Sequence, residues 1–369
     1  MTDARQPPAE RRIVLQGATK RFGDFTAVAP LDLDVRQGEF VALFGPTGAG
    51  KTTALRMIAG LEKPTAGAIL IDGLDVTPMP PQRRDVALVF QSNALYPHMT
   101  VERNLAFPMR AQSIPANVIE RRVNEVIDRL RLGHVRHCKP RKLSATDAQL
   151  VSLGRAMVRD AKAFLFDDPL APFTGDHRDQ MRRELRAIHE ELRATTILAT
   201  RDPLDTITTA DRICVMNQGR VLQCDTPQAV YDRPADLFVA HYLGEHAMNF
   251  LDATYADGVA RLGCADVSFR VADRDARPVD AAKITLGIRP EHVRIDPHGI
   301  AAVAGHAEPL GPDVVVELRF GDASIKAMVS SSWRVVAGET VPIRFAPDGC
   351  RWFDAVSGKA LPWQTRSIP

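Results

Sequence analysis

A single glycine-rich segment constrains the fold of this chain more strongly than any other feature. It lies between an apolar run, Phe40–Phe44, and a helical stretch, Lys51–Ala59, and it fits the pattern G-x-x-x-x-G-K-[ST]. In such a loop, glycines let backbone N–H groups turn towards phosphates, the lysine supplies a positive charge and the final hydroxyl can bind Mg²⁺. The pattern predicts a strand, a loop and a helix that bind a nucleoside triphosphate. The predicted nucleotide-binding residues are Gly45, Pro46, Thr47, Gly48, Ala49, Gly50, Lys51, Thr52 and Thr53.

Up to about residue 215, short apolar runs alternate with amphipathic helical stretches. The strand candidates are Phe40–Phe44, Val86–Phe90, Ala163–Phe166, Thr196–Thr200 and Ile213–Met216. The helix candidates are Lys51–Ala59, Asn117–Arg131 and Arg178–Leu192. Strands that alternate with helices predict an α/β fold with a parallel sheet covered on both faces.

An acidic residue ends one of these strand candidates. Ala163–Phe166 is followed directly by Asp167, so a buried strand would deliver this carboxylate to its C-terminal edge. A carboxylate in that position, downstream of a phosphate-binding loop, is suited to holding Mg²⁺. We therefore predict that Thr52 and Asp167 are metal ligands.

The rhythm of strands and helices changes twice along the chain. Residues 92–155 are mostly helical, which predicts a helical insertion between two strands of the sheet. After about residue 243, short β runs separated by glycine and proline predict an all-β domain. We place the domains at residues 1–243 and 244–369. The β runs of the second domain are Ile284–Ile288, Val314–Phe320, Ser324–Met328 and Thr340–Phe345.

Composition narrows the class of protein further. The chain has 369 residues and a formal charge of +2, whereas dedicated nucleic-acid binders usually carry a strong basic excess. No apolar run approaches the roughly 18 residues that would span a bilayer, and the N-terminus lacks the apolar segment of a secretory signal. The five cysteines are scattered, and we expect them to be reduced thiols in a cytoplasmic protein.

Several further segments carry a family resemblance. They are Lys20–Gly23, Gly38–Val41, Val89–Thr100, Leu153–Ala156 and Leu286–His292. With the phosphate-binding loop, they resemble the ATP-binding subunits of ABC importers of the maltose and sugar type. The resemblance implies ATP and Mg²⁺ as cofactors and an OB-like, TOBE-type regulatory domain at the C-terminus. It also implies that Phe22 stacks on adenine and that Gln91 contacts Mg²⁺ and the attacking water.

The segment that resembles the family signature departs from it. The family has Leu-Ser-Gly-Gly-Gln, and this chain has Leu-Ser-Ala-Thr-Asp at residues 143–147. The resemblance implies that Ser144, Ala145 and Thr146 contact ATP held by an opposing subunit. Ala145 and Thr146 place side chains where glycines let the backbone approach, and Asp147 adds a negative charge. Two like charges about 8 Å apart repel by about 2 kcal/mol at an effective dielectric constant near 20.

Two residues that resemble catalytic positions are also altered. Asp168 stands where the family has a glutamate base, and Arg201 stands where it has a switch histidine. The shorter acid retracts its carboxylate by about 1.5 Å, and a misplacement of about 1 Å can cost 100-fold in rate. Arginine accepts no hydrogen bond, but it can act as a fixed cation on a phosphate. We expect Asp168 and Arg201 either to form a compensating ion pair or to have drifted independently.

The family assembles two ATPase subunits around two ATP molecules, so the altered residues bear on the partner. A homodimer would carry the alterations in both halves of each site, and the resemblance therefore favours a heterodimer with a more orthodox ATPase subunit. Other expected partners are two membrane permease subunits and, indirectly, a solute-binding protein, with no nucleic acid. The predicted function is ATP-driven uptake of a sugar or of a polyol such as glycerol, at the cytoplasmic face of the inner membrane. The alternative is a regulatory subunit that binds ATP and barely hydrolyses it.

Overall fold

The structure, a computed structural model, describes residues 11–90, 94–159, 161–244, 246–272 and 282–366. The chain divides into two compact units, Met1–Pro227 and Gln228–Pro369. None of the described helices is both long and apolar enough to cross a lipid bilayer.

A six-stranded sheet forms the centre of the first unit. Its strands run in the order β10-β9-β3-β8-β7-β6, and all neighbouring pairs are parallel except β9 with β10. The strands are β3 (Phe40–Phe44), β6 (Val86–Val89), β7 (Ala163–Asp167), β8 (Thr195–Thr200), β9 (Arg212–Asn217) and β10 (Arg220–Asp225). Every residue of β3, β7 and β8 is buried, as expected when helices cover both faces of a parallel sheet. This confirms the predicted α/β fold.

A second sheet in this unit is antiparallel, with the order β2-β1-β4-β5. Its strands are β1 (Arg11–Phe22), β2 (Phe25–Arg36), β4 (Ala66–Ile71) and β5 (Leu74–Asp75). The sequence analysis did not predict these strands. In β2, however, Leu31, Leu33 and Val35 are buried and alternate with more exposed aspartates, which is the period-two pattern of a strand with one face in the core.

The helices of the first unit include a separate bundle. They are α1 (Lys51–Ala59), α2 (Val101–Ala111), α3 (Ala116–Arg129), α4 (Ala145–Met157), α5 (Gly175–Leu192) and α6 (Pro203–Thr209). Helices α2 and α3 and one face of α4 enclose an apolar core of their own, which includes Leu105, Val123 and Val151. The predicted helical insertion is therefore present between β6 and β7.

The second unit begins with two short helices, α7 (Pro227–Asp232) and α8 (Leu237–Tyr242), and is otherwise β-structured. Its strands are β11 (Asn249–Ala256), β12 (Val259–Leu262), β13 (Ser268–Ala272), β14 (Ala282–Ile288), β15 (Val293–Leu310), β16 (Asp313–Phe320), β17 (Ala323–Ser330), β18 (Thr340–Phe345), β19 (Arg351–Asp354), β20 (Ala360–Leu361) and β21 (Gln364–Arg366). They form one seven-stranded and one four-stranded sheet, and both contribute to one apolar core. The predicted all-β C-terminal architecture is confirmed.

The segment Leu286–His292 joins the two short helices to this β structure. A Cβ on Gly287 would lie 2.6 Å from the sulfur of Met248 and 2.7 Å from the ring of Phe353, so a side chain there would displace these neighbours. The buried Arg289 stacks on Tyr231 at 3.5 Å and donates to the carbonyl of Leu243 at 3.0 Å. These contacts explain why the division between the compact units falls after Pro227. The domain boundary that we placed after residue 243 stays a prediction.

The cysteines differ from the expectation. The structure joins Cys214 to Cys224 in a disulfide between the neighbouring strands β9 and β10, where their Cα atoms are 4.0 Å apart. The prediction of five reduced thiols is therefore wrong for this pair. Antiparallel register brings the two residues face to face, although ten positions separate them in the sequence.

Candidate functional site

The glycine-rich loop connects β3 to α1 as predicted, and its backbone requires its glycines. Gly48 and Gly50 have φ angles of +82° and +97°, which side chains disfavour. A Cβ on Gly50 would lie 2.5 Å from the carbonyl oxygen of Ala27. The loop leads into the N-terminus of α1, where unpaired N–H groups and the helix dipole favour an anion.

The turn between β9 and β10 supports the loop from below. The N–H of Gly219 donates to the carbonyl of Ala49 at 3.1 Å. The carbonyl of Met216 lies 2.1 Å from the position that a Cβ on Gly45 would occupy. The loop is therefore packed backbone against backbone, with no room for larger residues at its first glycine.

Lys51 is held inside the loop. Its ammonium group donates to the carbonyls of Gly45 at 2.6 Å and Pro46 at 2.7 Å. Burial lowers the pKa of Lys51, while the carboxylates of Asp168 and Asp167 oppose that shift. A positive charge is thus fixed where the backbone already favours an anion.

Thr52 and Asp167 meet although 115 positions separate them. The hydroxyl of Thr52, in the first turn of α1, donates to Oδ1 of Asp167 at 2.7 Å, and the Asp167 carboxylate is buried at the end of β7. A hydroxyl and a carboxylate are oxygen ligands of the kind that Mg²⁺ prefers. The two predicted metal ligands therefore form a donor set that fits this ion.

Asp168 follows in a strained backbone conformation, with a φ angle of +48°. Its Oδ2 lies 3.7 Å from Nε of Arg201, so the ion pair that we expected as one alternative is present. Among the described residues, no group hydrogen-bonds to its buried Oδ1. Burial raises the pKa of Asp168, against the opposing effect of Arg201. An acceptor with this environment is suited to taking a proton.

Arg201 stands on a rigid support that the sequence analysis missed. Its side chain is 59% exposed, and the preceding Thr200 donates to the fully buried Asp205 at 3.1 Å. Asp205 in turn pairs with Arg178 at 2.7 Å, and Asp202 caps helix α6. The segment Asp202-Pro203 is a helix-start signal that could have revealed this support.

These groups surround a cleft of about 350 Å³. Its lining residues are Phe25, Ala27, Thr47, Gly48, Ala49, Gly50, Lys51, Thr52, Thr53, Asp167, Asp168, Ala199 and Arg201. Phe22, the predicted adenine-stacking residue, is not among them, and its ring instead lies 4.8 Å from the ammonium group of Lys20. Phe25, which pairs with Phe22 across the turn between β1 and β2, lines the cleft and was not predicted.

The altered signature segment lies at the start of α4 and not in this cleft. Ser144 caps the helix, and Ala145 and Thr146 are its first residues. The Ser144 hydroxyl donates to Oδ2 of Asp147 at 2.6 Å and accepts from the Asp147 N–H at 3.0 Å. His134 lies 3.4 Å from the other carboxylate oxygen. The Ser144 hydroxyl is therefore already hydrogen-bonded to Asp147 of the same chain. Gln91, the remaining predicted residue, lies outside the described residues.

Three family models match the chain. One describes an ABC transporter and matches residues 28–171, which contain the loop, Asp167 and Asp168. A MalK OB fold domain matches residues 247–293, and a TOBE domain matches residues 286–353. The matched regions correspond to the α/β unit and to the β-structured unit.

Curated relatives match along nearly the whole chain. A trehalose/maltose import ATP-binding protein of Thermococcus litoralis is 41% identical over 93% of this chain and 97% of its own. An sn-glycerol-3-phosphate import ATP-binding protein of Salmonella typhi is 40% identical over 94% of this chain and 99% of its own. Among solved structures, a dimeric ATP-binding cassette bound to ADP and Pi shares 25% identity and a TM-score of 0.54. That match covers 58% of this chain and 98% of the cassette.

Proposed function

The chain belongs to the ABC transporter family of ATP-binding proteins, and we propose that it powers solute import as a subunit that binds ATP and Mg²⁺. The observation that carries this proposal is the hydrogen bond between Thr52 and Asp167, beside the loop that holds the ammonium group of Lys51. The names of the relatives support a sugar or a polyol, including a phosphorylated polyol, as the solute.

The loop and the polar side chains of the cleft have proposed roles. The loop residues 45–53 cradle the phosphates, and Lys51 turns its ammonium from the loop carbonyls to the phosphate oxygens. Thr52 and Asp167 hold Mg²⁺, with Gln91 as a further contact. When bound, Mg²⁺ supplies positive charge that offsets the charge of the phosphates.

Asp168 is the proposed base that orients and deprotonates the attacking water, through its unpaired Oδ1. Arg201 holds the other oxygen of this carboxylate and offers a cation to the terminal phosphate. Phe22 and Phe25 together form the proposed aromatic contact for adenine, since both lie at the turn between β1 and β2.

We further propose that this subunit works beside a different ATPase subunit. The arrangement of Ser144 and Asp147 supports this assembly, because in a homodimer both sites would receive a hydroxyl already engaged by a carboxylate. In a heterodimer, one site would combine this cleft with an unaltered signature. Both subunits would dock on two permease subunits at the cytoplasmic face of the membrane, supplied by a solute-binding protein.

The second candidate function is a regulatory subunit that binds ATP and barely hydrolyses it. The observation that favours it is the same pairing of Ser144 with Asp147, together with the shortened acid Asp168.

ATP binding and ATP turnover by the purified chain, alone and mixed with a second ATPase subunit encoded beside it, test the proposal. Lys51→Ala is the control for binding through the loop. Binding without turnover alone, followed by turnover with the partner, is the expected result. Robust turnover by the chain alone would overturn the heterodimer, and binding without turnover in every mixture would establish the regulatory role.

A further inference from the structure

The disulfide between Cys214 and Cys224 lies beside the phosphate-binding loop. Cys214 is fully buried on β9, where it aligns with Leu43 near the end of β3, the strand that leads into the loop. Further along β9, the carbonyl oxygen of Met216 occupies the space that a side chain on Gly45 would need. Cys224 lies opposite Cys214 on the edge strand β10. The disulfide therefore joins the two strands whose connecting turn supports the loop.

A permanent disulfide does not suit the setting that we propose for this chain. Thiols at the cytoplasmic face of a membrane are kept reduced, and the disulfides found there are mostly transient ones that catalyse or sense redox reactions. The structure leaves Cys138, Cys264 and Cys350 as free thiols, so pairing is specific to the two cysteines on β9 and β10. This placement favours a bond that forms and breaks.

The surroundings of the two sulfurs differ. Cys224 is partly exposed, whereas Cys214 has no exposed surface. Nη2 of Arg212 donates to Sγ of Cys224 at 3.4 Å, while Nη1 donates to the Glu39 carboxylate at 3.0 Å and to the carbonyl of Asp34 at 3.1 Å. Although Glu39 offsets part of its charge, the guanidinium is fixed with one N–H directed at Cys224. After reduction, that donor stabilises a thiolate, which is the form that reacts with oxidants.

We propose that Cys214 and Cys224 form a reversible thiol–disulfide switch that sets how firmly the phosphate loop is held. Cys224, which is the accessible sulfur, reacts with a peroxide. Cys214, which lies opposite on the neighbouring strand, then closes the disulfide.

Oxidation takes two steps. The thiolate of Cys224 attacks one oxygen of hydrogen peroxide, the O–O bond breaks, and a sulfenic acid forms together with hydroxide, which takes up a proton to become water. The thiol of Cys214 then loses its proton as its sulfur attacks the sulfur of Cys224, so that the S–O bond breaks and the oxygen leaves as a second water. The two thiols have then given two electrons to the peroxide. A dithiol reverses the reaction through a mixed disulfide with Cys224, and both released thiolates take up protons.

The switch acts on the loop through the turn between β9 and β10. In this turn, the N–H of Gly219 donates to the carbonyl of Ala49 at 3.1 Å, and its carbonyl accepts from the N–H of Ala29 at 2.9 Å. A disulfide restricts the separation of β10 from β9, so these hydrogen bonds should open less often in the oxidised chain. We expect the oxidised chain to bind ATP more tightly for the same reason. The effect on ATP rests on the proposed function, whereas the cysteine chemistry does not.

The first test follows the chemistry in the full-length chain, which is reduced with dithiothreitol and then treated with hydrogen peroxide. Mass spectrometry should show the loss of two hydrogen atoms, a bond between Cys214 and Cys224, and recovery with dithiothreitol. In Cys214→Ala, dimedone should label a sulfenic acid on Cys224 at least about tenfold faster than on Cys138 or Cys264, which are also partly exposed. No bond between Cys214 and Cys224, or equal labelling of the three thiols, would overturn the proposal.

The second test measures how firmly the loop is held. Amide hydrogen exchange in peptides that cover residues 40–52 and 212–225 should be at least about threefold slower after oxidation, and calorimetry should show a similar gain in ATP affinity. Cys224→Ala, treated with the same peroxide, is the matched control and should change in neither measurement. Equal exchange, or measurable but equal ATP affinity, in the two redox states would overturn the switch. Exchange that responds while ATP binds in neither state would support the switch and refute the proposed function.

Discussion

The phosphate loop is the first half of the nucleotide machinery in this chain, and the signature segment is the second. The two are held by different kinds of contact. The phosphate loop is fixed by backbone contacts, such as those of Gly45 with Met216 and of Gly50 with Ala27. The signature segment depends on side chains, and there Asp147 holds Ser144. A side chain added at Gly45 or Gly50 meets a backbone atom, whereas a substitution in the signature segment changes what the side chains can contact. The difference explains how the second half can vary while the fold stays intact.

The largest effect is expected from a substitution in the phosphate loop. Lys51→Ala should weaken ATP binding by about 10- to 100-fold, because a hydrogen bond to a charged group contributes about 1.5–3 kcal/mol. Calorimetric titration with ATP measures this, and Lys63→Ala, at an exposed lysine, is the matched control. Unchanged affinity in Lys51→Ala would mean that the loop is not the nucleotide site.

The next effect concerns the ion pair of Asp168 and Arg201, 3.7 Å apart. Asp168→Glu alone and Arg201→His alone should each lower turnover in the mixed assembly, by up to about 100-fold, since a displacement near 1 Å can cost that much. The double variant should recover activity, because it restores the longer acid and the histidine together. If each single variant instead raises ATP turnover, the two residues have drifted independently.

A smaller effect is expected from a substitution in the signature segment. Asp147→Gln removes a negative charge, frees the Ser144 hydroxyl and keeps an acceptor at the third position of α4. Turnover in the mixed assembly should rise by up to about 30-fold, the factor that corresponds to about 2 kcal/mol. The gain should shrink at high salt, which screens charges. Asp176→Asn, in the first turn of α5, should leave turnover unchanged.

The smallest effect is on stability. Because the pKa of Asp168 is raised by burial, its ionised form destabilises the folded chain once the pH exceeds the raised value. Asp168→Asn should therefore raise the melting temperature slightly at pH 7, and the gain should vanish as the pH falls below the ordinary aspartate pKa. Thermal melts across this pH range measure it. A lower melting temperature at pH 7 would show that the ion pair with Arg201 outweighs the burial.

Sequence patterns predicted those features of the site that follow from local spacing. The loop, α1 and the end of β7 follow from runs of residues that are continuous in the chain, and parallel strands bring Thr52 to Asp167. What could not be predicted depends on register between distant strands. Phe25 lines the cleft because β1 turns back into β2, and Cys214 meets Cys224 because β9 pairs with β10.

The buried support of Arg201 was missed for a related reason. Asp205 is an ordinary polar residue of a short helix in the sequence, and only folding places it against Arg178 and Thr200. Similarly, the segment Leu286–His292 resembles a family motif, but the sequence does not show that Arg289 stacks on Tyr231. The family resemblance picks out this segment but does not show which contacts Arg289 makes.

The turn between β9 and β10 has a consequence for anyone who modifies this chain. A tight turn that leads into an edge strand usually tolerates an inserted tag or an extra residue. Here Gly219 donates to Ala49 and accepts from Ala29. Lengthening this turn would therefore displace backbone that contacts the phosphate-binding loop. An epitope tag belongs instead at a turn such as Asp257-Gly258, where the carbonyl of Gly258 accepts from the N–H of Val271 in the second unit and not from the phosphate loop. The same distinction indicates where natural insertions can accumulate and where they would silence the cleft.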